Sequence, residues 1–140
     1  MRTVTVAWQP EEERFSAIGT HPGQVIAINA PHPPDSGHPP TGFSPAELLL
    51  ASAGSCAAWD VVQILGKGRH PVEGVEVRVT GEQSTEAPYA YTAITVHFIV
   101  RGELRPAAVE RAVTLSCERY CSVLATVRGV ATVTTTFEIV

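Results

Sequence analysis

The sequence predicts an α+β domain, with antiparallel sheets packed on a buried central helix. From Ser44 to Leu65 the chain is apolar or small at nearly every position, the composition of a helix enclosed by other structure. On either side of that run, short segments alternate apolar and polar residues with a period of two, as strands with one buried face do. A second helical stretch opens at Pro106 and one more alternating run ends the chain. The order is therefore strands, buried helix, hairpin, helix, strand.

Val4, Val6 and Trp8 alternate with Thr3, Thr5 and Ala7 and predict a half-buried first strand. The polar QPEEER turn comes next, with Arg14 at its far edge. Phe15, Ala17 and Gly19 suggest the returning strand, and Gln24 to Asn29 a third, with a His21-Pro22-Gly23 turn between them. Residues 31 to 40 are half proline and read as an extended surface loop that delivers the chain to the helix.

The helix has a strong start. Ser44 is a good N-cap, Pro45 fits the first helical position, and Glu47 at the third completes a capping box. Gly66, Gly68 and His70-Pro71 end it. Val75, Val77 and Val79, then Ile94, Val96, Phe98 and Val100, form a hairpin across the turn-prone GEQSTEAP, and Gly102 closes it. Ala107, Ala108, Val109, Ala112, Val113 and Leu115 line the helix that opens at Pro106. Around Tyr120-Cys121-Ser122 its pattern wavers, so Val123, Leu124 and Val127 either continue it or begin a short separate helix. Gly129 stops it, and Val133, Thr135, Phe137 and Ile139 make the last strand. No internal repeat and no linker interrupts the chain, so one domain spanning 1–140 is expected.

The 140 residues are 44% hydrophobic, enough for a real core. Net charge is −4 and Lys67 is the sole lysine, so the positive stripe that nucleic-acid binding needs is missing. The N-terminus is strand-like and not a signal peptide, and Ser52, Ser55 and Asp60 interrupt the apolar helix, which argues against a membrane span. A cytoplasmic protein is expected. Three cysteines, an odd number, fit reduced or catalytic thiols better than a disulfide framework. The central helix carries more apolar surface than one small sheet covers, so a second sheet or a second chain is needed. A homodimer is the economical reading, with Cys56 near the subunit boundary.

Cys56 sits mid-helix among Gly54, Ser55, Ala57 and Ala58, small neighbours that leave room beside a sulfur. A thiol must ionise to react, and at an unperturbed pKa of about 8.5 only ~3% is thiolate at neutral pH. The dipole of its own helix fades before reaching Cys56, and Asp60, four residues on, opposes a thiolate. A cation from elsewhere is required, and Arg14 is the candidate. Glu47, half a turn out of phase with Cys56, caps the helix more readily than it reaches the thiol. Cys117 reads as a packed helix residue. Without CxxC or HxxxH spacing no metal set is expected, and no cofactor motif is present.

The segments FSPAELLLASAGSCAAWDVV, VEVRVTGE with AYTAITVHF, and AVTLSCERYCSVLATV together resemble the OsmC/Ohr family of osmotically inducible and organic-hydroperoxide-resistance proteins, most closely its OsmC-like branch. The resemblance spans nearly the whole chain. It implies an intertwined homodimer with sheets wrapped around paired central helices, and a thiol-dependent peroxidase that acts on organic hydroperoxides and is recycled by a dithiol. By motif, Cys56 matches the peroxidatic cysteine and Cys121 the resolving one, and Arg14 matches by region the arginine that supports the thiolate. The family's glutamate position, ten residues before the cysteine, is Ala46 here, with Glu47 next along. A non-catalytic stress-associated or ligand-binding protein on the same fold is the alternative reading.

Overall fold

The computed structural model describes residues 2–21, 23–29, 37 and 42–140. The expected proline-rich loop, Gly37 apart, lies outside the described residues. The chain divides into two compact units, Met1–Leu49 and Leu50–Val140.

The first unit holds an antiparallel sheet in the order β1 (Thr5–Gln9), β2 (Arg14–Ile18), β3 (Val25–Asn29). Trp8 stands opposite Phe15 with ring centroids 4.9 Å apart, a cross-strand aromatic pair that fixes the register. Ala17 and Ile28 are buried, but Val4, Val6 and Trp8 are exposed. The first strand thus forms where its alternation predicts, yet its apolar face is open rather than half-buried. Beyond β3 the chain doubles back as Gly42 and Phe43. The Asn29 N–H donates to the Phe43 carbonyl (2.9 Å), and the Asn29 side-chain amide donates to the Gly42 carbonyl (2.7 Å). A Cβ at Gly42 would collide with the Ala27 carbonyl, so this approach needs glycine.

Helix α1 (Pro45–Lys67) starts on the capping box. The Glu47 N–H donates to Ser44 Oγ (3.2 Å), and the Ser44 N–H and hydroxyl both donate to Glu47 Oε2 (2.7 and 2.8 Å). At its other end Arg69, not Gly68, takes the left-handed conformation (φ 56°), and the His70 N–H closes on the Leu65 carbonyl (3.0 Å).

The second unit contains a sheet in the order β4 (Gly74–Gln83), β5 (Tyr91–Arg101), β6 (Thr132–Ile139). β4 and β5 are the predicted hairpin, with β4 running into the GEQSTEAP segment. β6 lies parallel to β5, because helices α2 (Pro106–Leu115) and α3 (Ser122–Val127) carry the chain back across the sheet before it enters β6. Gly102 (φ 135°) makes the corner after β5, where a side chain would strike the Pro71 carbonyl. Along α1, Ala53, Ala57, Val61 and Leu65 recur every four residues as one buried stripe. They pack with Ile94, Val96, Phe98 and Val100 of β5 and with Val109, Ala112, Val113 and Leu124 of α2 and α3.

This corrects one expectation. α1 is buried along a stripe, not all round, and Trp59 (66% exposed) and Val62 (37%) lie open. Among the described residues, α1 is the one helix that meets the length and composition of a membrane span, and its stripe packs into the core of the second unit.

Candidate active site

Between α2 and α3 the wavering pattern resolves into a π-helical turn, Ser116–Tyr120, closed by the Cys121 N–H on the Ser116 carbonyl (2.8 Å). Such a turn inserts one residue into a helix and re-aims the side chains beyond it. Cys121 then adopts an extended conformation (φ −68°, ψ 103°), becomes the N-cap of α3, and turns its thiol back towards α1. Its Sγ lies 3.9 Å from the Ala53 carbonyl and accepts the Leu124 N–H (3.4 Å). Although far apart in sequence, Cys56 and Cys121 are brought into one cluster with Asp60. The two sulfurs and a carboxylate oxygen all lie within 4.8 Å of one another.

The first turn of any helix leaves backbone N–H groups without intrahelical partners. α3 spends the Leu124 N–H on the Cys121 sulfur (3.4 Å), and the N–H groups of Ser122 and Val123 favour the thiolate of Cys56. Burial pushes the Cys56 thiol up, but the Val123 N–H, the Cys121 thiol and the Ser122 hydroxyl and N–H together outweigh it and hold the thiol below its ordinary value. Cys121 is pushed up to about 12 by burial first, and by the neighbouring Cys56. One sulfur is thus held towards the thiolate and the other towards the neutral thiol. The reading that a cation must lower the Cys56 pKa missed these N–H groups. The break at Cys121 was the signal available for them.

Ser116, wholly buried, completes the frame. Its hydroxyl donates to the Ala57 carbonyl (3.0 Å) and reaches Asp60 Oδ2 at 3.4 Å, tying the π-turn to α1. The small residues beside Cys56 have a different purpose from the one their size suggests. Gly54 and Ala57 face the core, and a Cβ on Gly54 would lie 2.7 Å from Val79 Cγ2. They let α1 sit close on the sheet rather than opening space at the sulfur.

Cys117 is buried, and burial first of all pushes its thiol up to about 11. Arg14 opens β2 and pairs with Glu12. Glu47 is held in the Ser44 cap, whose hydrogen bonds lower its carboxyl pKa. Asp60 also lines a groove of about 580 Å³ with Trp59, Ile64, Leu115 and Tyr120.

The OsmC-like protein family profile matches residues 37–136, which take in α1, β4, β5, most of β6 and both cysteines of the cluster. The chain belongs to the OsmC-like family. It is similar to Protein YhfA of Escherichia coli K12, 49% identical over 98 residues that cover 69% of this chain and 73% of YhfA. Among solved structures, a hypothetical protein from Aquifex aeolicus VF5 superposes with a TM-score of 0.86 at 29% identity, covering 100% of this chain and 96% of that one. The organic hydroperoxide resistance protein OhrB of Bacillus subtilis shares the OsmC-like fold at a TM-score of 0.66 and 17% identity, covering 99% of this chain and 98% of that one.

Proposed function

We propose that this OsmC-like protein is a thiol-dependent peroxidase that reduces organic hydroperoxides, acting in the cytoplasm as a homodimer. The observation that carries the reading is the pairing of a Cys56 thiol held below its ordinary value with a buried, protonated Cys121 in one cluster. The hydroperoxide-resistance protein that shares its fold supports the substrate class.

The Cys56 thiolate attacks an oxygen of the O–O bond, which breaks; the sulfur becomes a sulfenic acid and the alkoxide leaves as the alcohol after taking a proton. The Cys121 sulfur then displaces the sulfenic hydroxyl, its proton leaving with that hydroxyl as water, and a disulfide forms. A dithiol reductant returns both thiols. In this reading Arg14 supports the thiolate or the approaching peroxide, and Glu47 acts through the α1 cap.

Ala46, at the family's glutamate position, favours a second reading: a stress-associated or ligand-binding protein that retains its thiols. Stopped-flow mixing of the reduced protein with cumene hydroperoxide and with hydrogen peroxide separates the two. The peroxidase reading expects faster reaction with the organic peroxide and a Cys56–Cys121 disulfide reversed by dithiothreitol. Cys56→Ser abolishes peroxide consumption. Cys121→Ser leaves the first attack intact but strands the sulfenic acid, so excess peroxide adds two or three oxygens to the Cys56 peptide, read by mass spectrometry. If both thiols of the wild type stay free under hydroperoxide, the second reading replaces the first.

A further inference from the structure

We infer that Cys56, Cys121 and Asp60 form a binding site for a thiophilic divalent cation of the zinc type, with the fourth position open to solvent. The three ligand atoms come from two elements, α1 and the segment leading into α3, and lie within 4.8 Å of one another. A tetrahedral zinc with Zn–S of about 2.3 Å and Zn–O of about 2.0 Å needs its ligand atoms roughly 3.5–3.8 Å apart. The present spacing exceeds that by about 1 Å at most. Two thiolates and one carboxylate select zinc or cadmium over magnesium, which demands an oxygen shell.

The surroundings suit a metal–thiolate centre. The Leu124 N–H donates to the Cys121 sulfur (3.4 Å), which disperses the charge of a thiolate there. Ser116 holds Asp60 Oδ2 at 3.4 Å and leaves the other carboxylate oxygen for a metal. Spacing along the chain hides such a site, because only the π-turn brings Cys121 back to α1. Metal binding and a Cys56–Cys121 disulfide exclude each other, since each uses both sulfurs. The inference requires no peroxidase activity, so it stands or falls separately from that reading.

The test uses the reduced full-length protein, with Zn²⁺ titrated against a chromophoric chelator and Cd²⁺ followed by its ultraviolet thiolate charge-transfer band. One equivalent per chain is expected, with no competition from Mg²⁺. Loss of a ligand should weaken binding at least as far as loss of a group that only hydrogen-bonds one, so Asp60→Asn should weaken Zn²⁺ binding by about tenfold or more. Cys121→Ser should remove half of the cadmium band, and Cys117→Ser should retain it all. Without any variant, saturating Zn²⁺ should slow alkylation of Cys56 by iodoacetamide. The absence of the band, an Asp60→Asn protein that binds as tightly as wild type, or Cys56 alkylation indifferent to Zn²⁺ would each overturn the site.

Discussion

At the scale of residues, the half-buried thiol of Cys56 on α1 and the buried thiol of Cys117 in the π-turn should answer pH in opposite senses. The reactive form of Cys56 is the thiolate, so peroxide consumption should rise with pH and level off at a midpoint below the ordinary thiol value. Ser122→Ala removes a hydroxyl donor while leaving the backbone N–H groups, and should move that midpoint up. A midpoint that did not move, in the pH profile of the stopped-flow rate, would take the hydroxyl out of the account. Cys117 behaves the other way. Its folded pKa is raised from 9.0 to about 11, so its neutral form contributes stability that is fully present below 9 and is lost as pH climbs towards 11. That loss is on the order of 2–3 kcal/mol, from two pH units at about 1.4 kcal/mol each. Cys117→Ala should flatten the alkaline limb of urea midpoints plotted against pH, despite lowering stability at neutrality.

At the scale of elements, what the sequence displays is what repeats or caps. The capping box at Ser44 and Glu47 and the alternation of β5 were legible, because each is set by a local period or by a pair three residues apart, whereas α1 read as buried all round and only the fold shows its stripe. The pairing of Cys56 with Cys121 came from resemblance alone. Its cause, a π-turn that swings Cys121 onto α1, leaves only a blurred helical pattern in the chain. Cross-element packing was equally hidden, as Gly54 shows. Glycine inside a helix costs about 0.5–1 kcal/mol against alanine. Here the added Cβ would meet Val79 Cγ2 at 2.7 Å, and overpacking of that kind costs about 1–3 kcal/mol. The second effect is larger, so Gly54→Ala should lower stability by about 1 kcal/mol and shift α1 beside the site. A thermal melt showing the alanine protein to be more stable would mean that α1 has slack against β4.

At the scale of the whole molecule, the decisive feature is the side of α1 that the single chain leaves open. Counting about 100° per residue from the Ala53–Leu65 stripe, Ser55, Trp59, Val62 and Gly66 point away from the core, and Cys56 and Asp60 lie on the flank between. Three of those four outward residues are small or modest in size. Trp59 is the exception, and an open tryptophan at the middle of a helix leaves on the order of 100 Å² or more of apolar surface in water. At about 25 cal/mol per Å², covering it on two chains is worth several kcal/mol, and small neighbours allow two helices to approach closely enough to do it. In the proposed homodimer, a second copy of the chain packed α1 to α1 would cover that face and seal the flank that carries the thiols. Light scattering should therefore report about twice the mass of the 14.9 kDa chain at micromolar concentration, unchanged on dilution. Trp59→Glu sets two like charges against each other in such an interface without touching the Ala53–Leu65 stripe. It should shift the protein to monomer while the helical circular dichroism persists. A wild-type monomer, or a Trp59→Glu dimer as tight as wild type, would place the contact on another face and leave the exposed Val4, Val6 and Trp8 of the first sheet as the surface to test next.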